Sequence, residues 1–453
     1  MRINFSKRFK ISVLKKTFVV LSLFYAFSTL NAQTNDSLAT TENEASVFDS
    51  TRSNYTADIR VGNPTNKDVE MAIDDAKAPS YRYSIVYTKP WFDFKRKLNE
   101  TTGIQLSFTY ATIFMGASTK ISEENQQDAA SGIFDATIKW DFINRKGKNK
   151  GSIILWLDSR HLYYGDVAPQ WLNFETGSAL FPALQFNKWT FHILQFYYQQ
   201  VLFERMAFVI GKIDLSDWFN FNTLLHPKKH FTDFAFSVNP TVSWSNSGFG
   251  IVAGGWIDKN RQFGVIAGLN DVAGHDLTRD DFFNLGLDQW SNGKFLKMVE
   301  VFYTPARALR YFNRIGATFW HSDELLESDE SFFTSPSSKG FSVQVSWVFN
   351  DKYIPVITFG MSDGRGANSL SKFNISLAHA WFFNTYDMLG IGMNYTQSTV
   401  EGSVSQFLSE IFYRFTLSKT TVFTPMIKFV VNPALNPNTK FLIYYGLRGR
   451  ISM

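Results

Sequence analysis

The chain of 453 residues has no cysteine and carries 45 basic against 40 acidic side chains, which excludes disulfide staples and thiol catalysis. Six of the bases lie in residues 1–16; without them 39 basic groups face 40 acidic ones, so the basic balance of the whole sequence says little about nucleic acid or anionic lipid, and no nucleic-acid partner is expected. Aromatic residues make up 17% of the chain, yet its mean hydropathy is −0.14, too low for a bundle of membrane helices.

The N-terminus, MRINFSKRFKISVLKK, is followed by the apolar run TFVVLSLFYAFSTL and then Asn31-Ala32-Gln33. A basic head, an apolar stretch and a small residue at its end predict a secretory signal peptide over 1–32, with Ala32 the last residue removed. The run is shorter than the roughly 20 residues of a spanning helix. Residues 33–97 are a polar periplasmic leader; its first part, 33 to about 80, has nine acidic and four basic side chains and too little apolar surface to order as a core. Within it WFDFKRKLNE, at 91–100, predicts a short amphipathic helix at the entrance of the domain that follows.

Residues 98–453 have a different texture, in which segments rich in Phe, Tyr, Ile, Val, Trp and Thr recur. In SIILWLDSRH, at 152–161, Ser152, Ile154, Trp156, Asp158 and Arg160 share one parity. Glu410, Phe412 and Arg414 share another, and Leu442, Tyr444, Gly446, Arg448 and Arg450 a third. Period two is strand geometry. Candidate strands fall near 103–115, 131–142, 151–162, 191–200, 205–213, 231–241, 246–257, 262–270, 294–304, 311–321, 338–349, 354–362, 373–384, 387–397, 404–417, 420–432 and 439–449. From about residue 262 the connections alternate long and polar (271–293, 322–337, 363–372) with short (305–310, 350–353, 385–386), the asymmetry of a barrel with outer loops and periplasmic turns. Seventeen candidates and one break in the alternation, between 241 and 271, point to one strand counted too many there or one bent strand split in two. The expectation is an all-β fold, a transmembrane antiparallel β-barrel of 16 strands. It would cross the bacterial outer membrane many times, amid lipid and lipopolysaccharide, and be inserted by the outer-membrane barrel assembly machinery.

Four stretches resemble the carbohydrate-selective, OprB-type family of outer-membrane porins. They are LNETTGIQLSFTYA at 98–111, LQFYYQQVLFERMAFVIGKIDLSDWFNFN at 194–222, FGVIAGLNDVAG at 263–274 and the C-terminal block 409–453. In that block Glu410, Tyr413, Pro425, Asn432, Pro433 and Gly446-Leu447-Arg448 stand in the family's order. The resemblance covers about four-fifths of the chain. It implies passive diffusion of small saccharides or similar polar solutes through a 16-stranded barrel, a homotrimer as in many porins, and no cofactor. It also implies a narrow eyelet made by inward-folded loops and lined by arginines, acidic residues and an aromatic side chain. The chain departs from the pattern at its last residue, Met453 rather than an aromatic, and at 118–132, which lacks the family's Asn-rich, Gly-Gly stretch.

A constriction that passes sugars needs hydrogen-bonding groups for hydroxyls and an aromatic face for the apolar side of the ring, in sites weak enough to release them. The pore-lining candidates on strands are Asp158, Arg160, Glu410, Arg414, Arg448 and Arg450, each of which equally suits plain lumenal solvation. Arg448 leads because the family-like triplet carries it, with barrel closure as its alternative role. The candidate inward loop is 164–187, carrying Asp166, Trp171 and Glu175; Trp171 would stack on a sugar or pack the loop against the wall. Glu204-Arg205 reads as a turn.

Catalytic and metal motifs are absent from the sequence: no Gly-x-Ser-x-Gly elbow, no His-Glu-x-x-His and no phosphate-binding Gly-rich loop. His226 and His230 are four apart, but Pro227 argues against a ligand-bearing helix. The acidic stretches 271–281 and 322–330 suit either Ca²⁺ or a solvated surface. A barrel enzyme, with Ser, His and Asp converging at one rim, and a loop-plugged barrel that only binds or supports are the alternative readings.

Overall fold

Among the described residues of the computed structural model, period-two alternation becomes sixteen antiparallel strands closed into one barrel. Those residues are 89–453 apart from 223–225, 306–311, 329–333, 351, 384–386 and 419. The signal segment and most of the leader lie outside them. The helix α1 (Lys89–Thr102) leads into β1 (Ile104–Ala117), β2 (Asp128–Ile143), β3 (Gly151–Tyr164) and β4 (Trp189–Leu202). The short strands β5 (Met206–Ile213), β6 (Gly248–Trp256), β7 (Phe263–Asp271), β8 (Phe295–Tyr303), β9 (Arg314–Ser322) and β10 (Ser338–Ser346) follow. The circuit ends with β11 (Tyr353–Ser362), β12 (Ser371–Phe382), β13 (Met388–Ser398), β14 (Ser405–Thr416), β15 (Thr421–Val431) and β16 (Phe441–Ser452).

Each strand pairs with its sequence neighbours, and β1 closes on β16 from Thr109↔Ser452 to Ala117↔Tyr444. Met453 continues that ladder: it exchanges two backbone hydrogen bonds of 2.8 Å with Phe108. The last residue therefore fits the seam through its backbone, whatever its side chain. Closure leaves no edge of unpaired amides, which is the condition for strands to cross hydrocarbon. One parity turns outward and is apolar, as with Phe319, Phe407, Leu447 and Ile451, all exposed. The opposite parity turns inward and is rich in polar groups, Asn394, Thr396, Glu410 and Lys428 among them, all buried. This is the fold of a multi-pass outer-membrane barrel.

The connections alternate without a break. Short turns (144–150, 203–205, 257–262, 347–352, 417–420) lie at the end where β1 starts and β16 finishes, and the long connections lie at the other. The surplus strand is 231–241. It belongs to the long connection 214–247, and instead of a strand it forms a short helix within that loop, Phe234–Ser237, whose first turn is capped by the Asp233 carboxylate accepting from Ala235 N at 3.0 Å. The segment FTDFAFSVNPTV looks strand-like because nearly every side chain in it is buried, and burial on all sides erases the contrast that a periodicity reading needs.

Glycines on the inner face make room for aromatic rings. A Cβ on Gly390 would overlap the Phe412 ring, and one on Gly392 would meet Phe236 and Phe231. Gly390→Ala is expected to lower barrel stability by about 1–3 kcal/mol, the cost of overpacking, read as a lower midpoint of urea unfolding from lipid vesicles with an unchanged slope.

Candidate functional site: a lumen bridged by two inward loops

Six contiguous strands, in the order β14, β15, β16, β1, β2 and β3, place charges on one inner wall. Alternation supplies Glu410 and Arg414 from β14, Lys428 from β15, Arg448 and Arg450 from β16, Asp135 from β2, and Asp158 and Arg160 from β3. Between them β1 contributes the buried apolar Ala111, Ile113 and Met115. Charges removed from water are tolerable only if paired and hydrogen-bonded. Here their partners are two long connections folded into the barrel.

The first is 165–188. A 3₁₀ turn, Pro169–Trp171, runs into the one-and-a-half-turn helix Leu172–Thr176, which stops at Gly177 in the left-handed region (φ 88°), its amide donating to Asn173 O at 2.7 Å. The Thr176 hydroxyl contacts the Tyr444 hydroxyl on β16. Gln406 on β14 accepts from Ala179 N at 2.9 Å and Ala434 N at 3.1 Å. Farther along, Arg160 donates Nη1 to Gln185 O (2.9 Å) and Asn187 Oδ1 (3.1 Å) while its Nε pairs with Asp158 (2.9 Å). Its guanidinium also lies 3.5 Å from the Trp189 ring centroid. The β3–β4 ladder shifts register between Asp158 and Arg160, an irregularity of the kind that re-aims a side chain.

The second connection, 214–247, meets more of the wall. Lys228 Nζ pairs with Asp135 at 2.6 Å, both side chains buried. Arg448 donates to the carbonyls of Pro227 and of His230, the latter at 2.8 Å, and Arg414 Nη1 lies 3.3 Å from His230 Nε2. Glu410 accepts from Thr232 N (2.8 Å), Thr232 Oγ1 (3.1 Å) and Asp233 N (3.1 Å). Lys428 pairs with Glu410 at 3.1 Å and Asp233 at 3.4 Å, and donates to Pro182 O of the first loop. On the far wall Glu300 accepts from Asn220 N, Ser376 donates to Ala235 O, and Asn239 Nδ2 donates to Phe359 O at 3.0 Å. Backbone bonds join the two loops: Leu184 N to Thr232 O (2.8 Å) and Phe234 N to Phe181 O (3.0 Å). Apolar rings fill in beneath, with Phe231 4.8 Å from both Phe236 and Phe412.

Two carboxylates, Glu410 and Asp233, share the single Lys428 ammonium. Burial pushes the Asp233 carboxyl up to about 6; Lys428 opposes this and Glu410 adds to it. The folded protein thus holds that proton to a higher pH than the unfolded chain, which releases it near 3.9. Stability should therefore fall as pH rises from about 4 to about 6. Asp233→Asn is expected to flatten the dependence in that window, measured as urea midpoints at closely spaced pH values.

The structure gathers the strand candidates into these contacts. Asp158, Arg160, Glu410, Arg448 and Arg450 are buried and Arg414 is partly so; apart from Arg450, which donates to Ser452 Oγ at 3.4 Å, each one or its direct pair holds a loop. Trp171 and Glu175 stand apart from them, toward the long-loop end. Trp171, 37% exposed, stacks on Phe174 at 5.9 Å and meets Phe181 edge-on at 4.9 Å. Glu175 accepts from Asn125 Nδ2 and Gln126 N, both at 2.8 Å, which ties the loop to the β1–β2 connection. Glu204 and Phe203 have positive φ in the β4–β5 turn, and Arg205 donates to Asp258 O at 2.7 Å.

Among the described residues, several acids of the outer stretches are engaged by protein. Asp271 accepts from Ala273 N and Gly274 N, Asp281 lies 2.5 Å from His275 Nε2, and Asp323 and Glu324 pair with Lys297 and Lys294. Among the described residues no group of three His, Asp or Glu is placed to hold a metal ion. Thr190 Oγ1 lies 3.2 Å from His192 Nδ1, but His192 Nε2 has no hydrogen-bond partner to orient the ring as a base. The sequence reading missed Asp135, Lys228, Lys428 and the whole second loop. Two signals pointed to it: the break in the long–short alternation, and Pro227-Lys228-Lys229 set in an apolar stretch.

The high-pH structure of OprB from Pseudomonas putida matches this chain with a TM-score of 0.63 at 13% identity, covering 83% of this chain and 100% of that one. The fold is that of a 16-stranded porin barrel. The low-pH structure of the same protein gives a TM-score of 0.49 at 11% identity over 81% of this chain and 97% of that one. A mutant of the Rh. blastica porin gives 0.48 at 9% identity over 77% and 100%. No family model and no curated protein matches the sequence. A barrel of this strand number encloses an interior wider than its own wall side chains fill, and the two long connections enter it.

Proposed function

We propose that the chain is an outer-membrane channel for passive diffusion of small polar solutes, with small carbohydrates as the favoured class. The observation that carries this reading is the pair of inward loops pinned by buried charges, which narrows a wide barrel to a sieve. In this reading Asp158, Arg160, Glu410, Arg414 and Arg448 set the aperture by fixing loop positions, and Arg450 lines the wall beside them. Trp171 and Phe174 offer an exposed stacked face to the apolar side of a sugar, and Glu175 keeps that face in place. A loop-plugged barrel is the second reading, favoured by the apolar packing of Phe231 and Phe236 against Phe412.

Osmotic swelling of proteoliposomes separates the two readings. The channel admits neutral mono- and disaccharides at rates that fall with size, and charged solutes of equal size more slowly. A plugged barrel, folded by the heat-modifiability of its band on gels, admits none of them. Trp171→Ala is expected to slow sugar entry more than entry of a polyol without a ring, since stacking on an aromatic face is what it removes.

A further inference from the structure

The short-turn end of the barrel carries a second pattern on its outside. Large apolar side chains stand exposed there, with Trp140 on β2, Met206 on β5 and Phe263 on β7. Two more crown the turns, Phe203 and Ile257, each 67% exposed. Just beyond this ring lie the exposed Lys146, Lys148 and Lys259, with Arg96 and Lys97 exposed on α1.

These pieces are continuous. Helix α1 rests on the outer surface, its Trp91 ring 5.8 Å from Phe108 and its Thr102 carbonyl accepting from Trp140 Nε1 at 3.3 Å. Turn 144–150 reaches the next turn through Glu204 N to Lys148 O (3.2 Å) and Phe203 N to Asn149 Oδ1 (2.7 Å). That turn reaches 257–262 through Arg261 and Glu204, 3.9 Å apart. The acids of the region are occupied: Glu204 by Arg261, Asp93 and Glu100 by Arg96 at 2.8 and 4.0 Å, and Asp258 by the amides of Gln262 and Phe263. Among the described residues Lys146, Lys148 and Lys259 have no acidic partner.

Aromatic and aliphatic side chains at the level of a bilayer boundary, topped by unneutralised ammonium groups, match a lipid headgroup layer. A zwitterionic headgroup brings its own ammonium to its phosphodiester; a net-anionic one does not, and leaves that place to lysine. We propose that α1 and the turns 144–150, 203–205 and 257–262 form a docking collar for anionic phospholipid on the periplasmic leaflet. The proposal rests on the reading that the barrel spans the outer membrane, and is independent of whether it conducts.

The test is native mass spectrometry of the folded chain in micelles, with phosphatidylglycerol or phosphatidylcholine of identical acyl chains added. Preferential retention of phosphatidylglycerol, at least about tenfold for three lysines near the surface, is expected, and it should weaken with salt. The triple variant Lys146→Gln, Lys148→Gln, Lys259→Gln should lose the preference. A control variant with the same charge change at the long-loop end, Lys294→Gln, Lys297→Gln, Lys339→Gln, should keep it. Equal retention of both lipids by the wild type overturns the proposal, as does an equal loss in both variants. So does binding of a soluble oligoglutamate peptide without lipid preference, which would assign the collar to an acidic protein partner. Swelling activity reports separately on the channel, so either claim can fail alone.

Discussion

Replacing residues 226–242 with a short Gly-Ser bridge is expected to raise single-channel conductance about fivefold or more, toward that of an open barrel of 16 strands. The segment removed includes Lys228, His230, Thr232 and Asp233, all buried inside the barrel against Asp135, Glu410, Lys428 and Arg448. Those wall charges would then meet water, so ion selectivity should become sensitive to Glu410 and Arg448, which in the intact protein are covered. The barrel itself should persist, because its ladders run strand to strand and none depends on this segment. Planar-bilayer recording checks the result; an unchanged conductance would mean that the segment does not limit the passage.

Glu410→Ala is expected to cost about 3–5 kcal/mol, the usual penalty for stranding the partner of a buried pair. Its carboxylate accepts three hydrogen bonds from Thr232 and Asp233 and neutralises Lys428. Loss of it leaves the ammonium buried beside Asp233 alone and two loop amides without an acceptor. The urea midpoint should drop, and current traces should become noisier as the second loop loosens. Glu410→Gln keeps an acceptor for the amides and should lose less. Adding Lys428→Met and Asp233→Asn to Glu410→Ala should recover part of the loss, since the three charges that share the site are then removed together.

The barrel was legible in the sequence because lipid outside and polar groups inside impose a strict contrast on every strand. Trp156, Asp158 and Arg160 on one parity, or Arg448 and Arg450 on another, announce an inner face before any coordinate is known. Loop length did the rest, and the break near 241 located the surplus strand. The contacts of the site were less legible. Residues 227–245 are nearly all buried, so their pattern carries no face. Pairs such as Lys228 with Asp135, or Lys428 with Asp233, join positions far apart in the chain through a loop whose path is set only by closure of the barrel. Arg160 and Arg448 were recognised as inward-facing, but that one ends on Gln185 and Asn187, and the other on two backbone carbonyls, follows from the path of the loops.

The most direct test of the loop-lined lumen uses the absence of cysteine in the chain. Gly360 lies on the inner face of β11, and a Cβ built there would overlap the Thr241 hydroxyl and the Asn239 amide of the second loop, so the flexible Asn239 side chain must turn aside to admit one. In the double variant Thr241→Cys, Gly360→Cys, mild oxidation of the folded barrel should form a disulfide, within the short Cβ separation such bonds require. The bridge should protect both thiols from a water-soluble maleimide and lower conductance noise. Two freely labelled thiols and no bridge, in a barrel folded by heat-modifiability, would place the loop elsewhere and contradict the account.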